Sequence, residues 1–223
     1  MTPRVVVFLD YQNVVLLAHR RFGPVGAANR IANLDPVKLG RLIASRRNTP
    51  SELTRVRVYR GLPNPLREPI AAGANDRQAD AWQRTGLVTT VRRPLRYPRG
   101  WPEIPAQEKG IDVSLAIDVL RLALERHYDV GVLFSSDTDL LPAVETLTEL
   151  KLARIEVAAW TRHTAAPAAQ HRPAVVPLPV PSRLRVGDRP DRLLAPAAVA
   201  TVTPPNGRTG ANLWPILERR ECH

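Results

Sequence analysis

The chain has a single cysteine among its 223 residues, Cys222, so neither a disulfide framework nor a cysteine-ligated zinc site can be built from it. Its five histidines show no ligand spacing. Long apolar runs are missing too. The run Val5 to Leu9 stops at Asp10, too short for a signal-peptide core or a membrane span, and no later stretch is long enough either. These absences lead to the expectation of a soluble cytoplasmic protein with no membrane partner. There is no internal repeat, and the length suits one well-buried domain of about 150 residues with some chain left over.

What the chain has in excess is positive charge. Lys and Arg outnumber Asp and Glu by 32 to 21, a formal net charge of +11, and nearly all of the cations are arginines spread along the whole sequence. Such a surface attracts polyanions, although an arginine- and proline-rich composition can be basic without any nucleic-acid role.

Along the chain, short β-branched runs alternate with helical periods. Arg4 to Leu9, Thr54 to Tyr59, Leu87 to Val91, Val130 to Phe134 and Arg154 to Ala159 read as strands, several of them apolar throughout, as in a sheet covered on both faces. Helices are expected from Val14 to Ala18, fading at Gly23-Pro24, and from Pro36 to Ser45, behind the N-cap Asp35. Others are expected from Asn75 to Arg84, closed by Gly86, and around Pro142 to Leu150. Ile111 to His127 is the strongest helical signal, with Ser114, Asp118, Arg121 and Glu125 forming one polar stripe. The alternation predicts a three-layer α/β/α domain with a mostly parallel, Rossmann-like sheet over residues 1–160. From Thr161 on, closely spaced prolines in an Ala/Arg/Val-rich stretch predict a linker or largely disordered tail over residues 161–223, with Asn212 to Arg220 apolar enough to dock as a short segment.

In open α/β sheets reactive groups collect beyond the carboxyl ends of the strands, so an acid just after a buried strand is informative. Asp10 follows the first strand, and Asp137 and Asp139 follow the fourth. Asp112 opens the long helix and lies off its polar stripe, pointing toward the same rim. Four carboxylates meeting there would repel by about 3 kcal/mol per pair at roughly 5 Å and an effective dielectric near 20. A hard divalent cation, Mg²⁺ or Mn²⁺, would offset that repulsion with an all-oxygen ligand set. Two such ions about 4 Å apart activate a water and stabilise the leaving oxygen of a phosphodiester. Each residue also has an ordinary role open to it. Asp112 and Asp137 suit helix N-caps, Asp10 to Asn13 suits an Asx-turn, and an Asp-x-Asp doublet occurs in glycosyltransferases as well as in nucleases.

Three motifs carry a family likeness: Val5-Val-Val-Phe-Leu-Asp10-Tyr-Gln-Asn13, Lys109-Gly-Ile-Asp112-Val-Ser-Leu-Ala-Ile-Asp118, and Val132-Leu-Phe-Ser135-Ser-Asp137-Thr-Asp139-Leu. In order and approximate spacing, from residue 4 to about 160, the chain resembles the NYN domain, the LabA-like branch of the PIN-like ribonucleases. The resemblance implies a doubly wound sheet, an acidic pocket holding Mg²⁺ or Mn²⁺, and RNA as substrate. It further implies Asp10, Asp112, Asp137 and Asp139 as metal-site carboxylates, Asn13 orienting a ligand or water, Ser135 bonding the loop, and a cut that leaves a 5′-phosphate and a 3′-hydroxyl. The sequence departs from the family where glycine is frequent, at Tyr11 and Ser136, and bulk at these turns would narrow the pocket or alter the backbone. Asp118 also stands where the family usually has Asp, but its spacing to Arg121 favours a surface ion pair.

Between the third strand and the long helix, Pro94, Pro98, Pro102 and Pro105 mark a loop that interleaves cations with aromatics: Arg92, Arg93, Arg96, Tyr97, Arg99 and Trp101, followed by Lys109. Arginines that pair phosphates beside a ring that stacks on an unpaired base would suit single-stranded RNA, whereas a solvated basic loop with its tryptophan packed on the core is the plainer alternative. The combined expectation is an Mg²⁺- or Mn²⁺-dependent endoribonuclease. Its alternative is a catalytically silent RNA-binding module of the same fold.

Overall fold

In the computed structural model, residues 1–22, 33–160, 200–202 and 217–218 are described. The sheet strands are β1 (Arg4–Asp10), β3 (Glu52–Leu62), β4 (Val88–Pro94), β5 (Val130–Phe134), β6 (Arg154–Trp160) and β7 (Ala200–Val202). They lie in the order β4-β3-β1-β5-β6-β7, and every pairing is parallel. A separate antiparallel pair joins β2 (Asn33–Leu34) to β8 (Leu217–Glu218). The helices are α1 (Tyr11–Phe22), α2 (Pro36–Ser45), α3 (Pro69–Gln83), α4 (Ile111–Leu124) and α5 (Leu141–Glu149), the last entered through a 3₁₀ turn at Thr138–Leu140.

Strand alternation divides the core in two. Val5, Val7 and Leu9 of β1, with Val130, Val132 and Phe134 of β5, face α1 and α2 and meet Val14, Val15, Leu39 and Ile43. Val6 and Phe8 point the other way, onto Ile111, Leu115, Val119 and Leu122 of α4 and Val144 and Leu147 of α5. The result is a three-layer α/β/α domain around a parallel sheet, with β1 at its centre. By the same alternation Asp10, the last residue of β1, falls on the α4 face.

Local chemistry sets the helix ends. Asp35 caps α2, accepting from Val37 N (2.9 Å) and Lys38 N (3.1 Å), with Pro36 in the first turn. The third helix begins at Pro69, six residues before its expected start, and Gly86 sits just beyond its end at a φ of +71°. The long helix ends at Leu124 rather than His127, because Arg126 turns left-handed and His127 N–H closes on Leu122 O (2.9 Å). Its expected polar stripe is also rephased. Ser114 is buried, while Val113, Ile117 and Leu124 face solvent.

One ion pair is sealed inside the domain. Arg47, just after α2, donates to both oxygens of Glu156 on β6 (2.8 and 2.9 Å), and both side chains are buried. Removing one partner of such a pair leaves an uncompensated buried charge. We therefore expect Arg47→Ala to lower the unfolding free energy by about 3 kcal/mol, the exposed Arg154 retaining part of the compensation at 3.2 Å. Urea titration of the two proteins measures the difference, and an unchanged midpoint would contradict it.

Candidate functional site

The chain runs from β1 outward to β3 and β4, then crosses back to β5 and β6, so the strand order reverses at β1. A parallel sheet opens a crevice at such a reversal, beyond the carboxyl ends of its strands. Asp10 ends β1, Ser135 to Asp139 follow β5, Gly61 lies near the end of β3, and Glu108 to Asp112 lead from the post-β4 loop into α4.

Asp10 is the buried centre of this rim, 3% exposed. Its Oδ2 accepts from Ser135 Oγ (2.8 Å) and its Oδ1 from Asn13 N–H (3.3 Å). Ser135 Oγ in turn accepts from Asp137 N–H (3.1 Å), so one hydroxyl joins the post-β5 loop to the end of β1. The Asn13 side-chain oxygen binds Ser136 through both N–H (3.1 Å) and Oγ (3.0 Å). Ser136 is therefore exposed and tethered to α1. Tyr11 points into the core on the other face: its hydroxyl accepts from Leu34 N–H (3.1 Å) and donates to Leu34 O (3.3 Å), and its ring packs on Trp82. Its bulk is taken up there, away from the α4 side where Asp10 points.

The carboxylates sense one another. Burial pushes Asp10 up to about 6, with Ser135 and Asn13 pulling down and the charges of Asp112 and Asp137 adding to the rise. Asp112 is raised by burial and by Asp137 and Asp139. Glu108, which the sequence reading passed over as a loop residue, is pushed up to about 7, chiefly by burial and further by Asp10 and Asp112, while Gly61 N–H and Arg60 pull it down. None of Asp10, Glu108, Asp112, Asp137 and Asp139 forms an ion pair with a described residue, in a chain of net charge +11.

The tight convergence expected of the four aspartates is not found. Among the described residues, no three acidic, histidine or cysteine side chains are disposed to hold a metal ion as they stand. Asp137 caps its own turn, accepting from Asp139 N–H (2.9 Å), and Asp139 is exposed. In chemistry the donor set does fit a hard cation, being all oxygen, anionic and, among the described residues, without ion-pair partners. As placed, it would have to draw inward.

The basic loop divides into engaged and free cations. Arg92 bonds Asp76 and Asn75, and Arg93 donates to Ser114 Oγ (2.8 Å), because both belong to β4 and face neighbouring helices. Arg57 is likewise held by Asp118 and Tyr59, and Arg60 lies over the Tyr11 and Trp82 rings. Asp118 does pair with Arg121 (3.0 Å), but also with Arg57 across the α4 interface. Arg96, Arg99 and Lys109 are exposed, and their side chains make no hydrogen bond or ion pair to another described residue. Tyr97 and Trp101 meet edge to face at 5.6 Å, and Arg67, absent from the sequence reading, stacks 5.0 Å from the Tyr97 ring and 5.6 Å from Trp101.

These features define a doubly wound α/β protein with acidic side chains gathered at its topological switch point. Residues 4–174 match the NYN domain, and the chain belongs to that family, with its PIN-like fold. A solved structure of a protein of unknown function from Vibrio parahaemolyticus RIMD 2210633 is similar at 16% identity and a TM-score of 0.47, covering 71% of this chain and 82% of that one. No curated protein matches the chain.

The raised carboxyls give the fold a pH dependence. Asp10 and Glu108 bind protons more tightly folded than unfolded, so the stability they contribute is present below about pH 4 and lost as pH rises through about 6 to 7. In metal-free buffer, Asp10→Asn should be more stable than wild type at about pH 8, by on the order of 1–3 kcal/mol, and the gap should close near pH 4. Thermal unfolding across that range tests it; a gap independent of pH would refute the assigned cause.

Proposed function

We propose that the protein is an Mg²⁺- or Mn²⁺-dependent endoribonuclease of the cytoplasm that hydrolyses phosphodiester bonds in single-stranded RNA at the β1–β5 crevice. The observation that carries this reading is the rim of five mutually repelling carboxylates with no ion pair to a described residue, on a chain that is otherwise strongly cationic. Structural acids in such a chain find arginines, as Asp118 and Glu156 do. Acids left uncompensated in a crevice are suited to receive a cation.

Asp10, Asp112, Asp137 and Asp139 would hold the ion or ions. When bound, the metal supplies charge neutralisation and lowers the proton affinity of a coordinated water. The chain's own residues do the rest. Ser135 and Asn13 N–H fix the Asp10 carboxylate in one rotamer, so that its oxygens need no reorganisation when substrate arrives. The Asn13 side-chain oxygen holds the Ser136 backbone and so keeps the post-β5 loop against α1, while its NH2 group remains to orient a ligand or water. Arg96, Arg99 and Lys109 would draw in phosphates, and Trp101, with Tyr97 and Arg67 behind it, would take an unpaired base. Arg92 and Arg93 contribute less, since their guanidinium groups are already engaged. In this reading residues 1–160 carry the nuclease site, and the segment after them adds β7 to the sheet beside β6 and β8 beside β2.

The absence of a closed metal cluster among the described residues favours a second reading, a silent RNA-binding module of the same family. A labelled single-stranded RNA with Mn²⁺ separates the two. The nuclease should cut it, lose activity in EDTA, and lose at least about 100-fold in turnover as Asp10→Asn. RNA binding without metal-dependent, Asp10-dependent cutting would establish the module instead.

A further inference from the structure

Glu108 closes a contact that ties three distant segments together. Its Oε1 accepts from Gly61 N–H near the end of β3. The Gln12 carboxamide, turned so that its NH2 faces the carboxylate, donates to both oxygens at 2.8 and 3.0 Å. Gln12 lies in the first turn of α1, two residues after Asp10, and Glu108 lies four residues before Asp112. The approach to β3 depends on a missing side chain: a Cβ on Gly61 would stand 3.0 Å from Glu108 Oε1 and 3.1 Å from its Cγ, and would collide with Leu95. Among the described residues the carboxylate forms no ion pair, and these donors hold it at the rim.

Resting on the nuclease reading above, we propose that Glu108 is a positioning residue, a clasp that fixes the first turn of α1, which follows Asp10 directly, and the α4 entry carrying Asp112 against the end of β3. The clasp needs two hydrogen-bonding atoms at the end of a side chain of this length. It does not need a negative charge. A glutamine at position 108 offers an oxygen to Gly61 N–H and an NH2 to the Gln12 carbonyl with that amide turned the other way. Alanine offers neither.

The full-length chain tests this with the same RNA assay and one measurement independent of cutting. Glu108→Ala should lower kcat by about 100-fold with KM unchanged, the loss expected from misplaced reacting groups, while Glu108→Gln restores most of it. Gly61→Ala, whose Cβ would collide with Leu95 and crowd the Glu108 side chain without altering its chemistry, should fall with Glu108→Ala. Hydrogen exchange of the Gln12 side-chain NH2, followed by NMR, should be slow in wild type and fast in Glu108→Ala, whereas in Glu108→Gln the slowly exchanging amide should be that of the new side chain at position 108. Wild-type kcat in Glu108→Ala would overturn the proposal, as would Glu108→Gln losing as much as Glu108→Ala, which would assign the role to the charge itself. If the wild-type chain cuts no RNA, the nuclease reading fails alone; exchange at Gln12 then decides the clasp, and equal rates in wild type and Glu108→Ala would refute it. Should Glu108→Ala fail to fold, the Gly61→Ala and Glu108→Gln pair gives the same decision.

Discussion

The carboxylate of Asp10 is buried at the end of the central strand with no cation among the described residues paired to it, and the rest of the rim is arranged around that cost. Burial alone disfavours its charge, and Asp112 and Asp137 disfavour it further. What keeps it in place is dipolar: a serine hydroxyl from the β5 loop and a backbone amide from α1. Hydrogen bonds of this kind orient a carboxylate without neutralising it, so the group stays available to a positive ligand. The buried pair of Arg47 and Glu156 shows the other solution, a carboxylate whose charge is spent on the fold.

Sheet topology explains why the acids meet on one rim. The reversal of strand order at β1 separates the connections leaving β1 and β5, and the carboxyl ends of both strands open into the same crevice. Residues 10, 61, 108, 112 and 135–139 then become neighbours although the chain between them is long. Parallel pairing keeps all the strand ends on one side. Strand alternation sets which side chains turn toward α4, placing Asp10 with Phe8 and Val6 on one face and leaving the other face to Leu9 and the buried Tyr11.

Much of this was legible in the sequence, and the boundary between legible and illegible follows physical lines. Strands β1 and β5 were plain because a strand buried on both faces must be apolar at every position. Asp35 and Pro36 marked the start of α2 because capping is local chemistry. The phase of α4 was misread because its sequence is apolar nearly all round: Val113, Ile117 and Leu124 look like core, and only the tertiary contact decides that Ile111, Leu115 and Val119 are the buried stripe. The start of α3 was missed because Pro69 followed a turn-rich stretch, and tertiary packing of Ala72 and Ala79 supplied what propensity did not. Arg92 and Arg93 read as loop cations because the prolines after them hid the end of β4.

Glu108 was invisible for a different reason. It stands just outside the motif that begins at Lys109, and its contacts are to Gly61 and Gln12, far away in the chain. The only local trace is the glycine near the end of β3, and a strand glycine signals that something approaches closely without saying what. Asp10 and Asp112 were found because each stands at an element boundary, where an acid has a limited set of uses. A residue that positions others from within a loop has no such marker, and its effect on the site passes through backbone it does not belong to. Its charge adds to the repulsion at the rim while its hydrogen bonds reduce the freedom of the two turns that carry the other acids. The two effects oppose each other: repulsion keeps the carboxylates apart, as their spacing shows, while the hydrogen bonds limit how far they have to move to draw in on a cation, and preorganisation gains affinity by shortening that step.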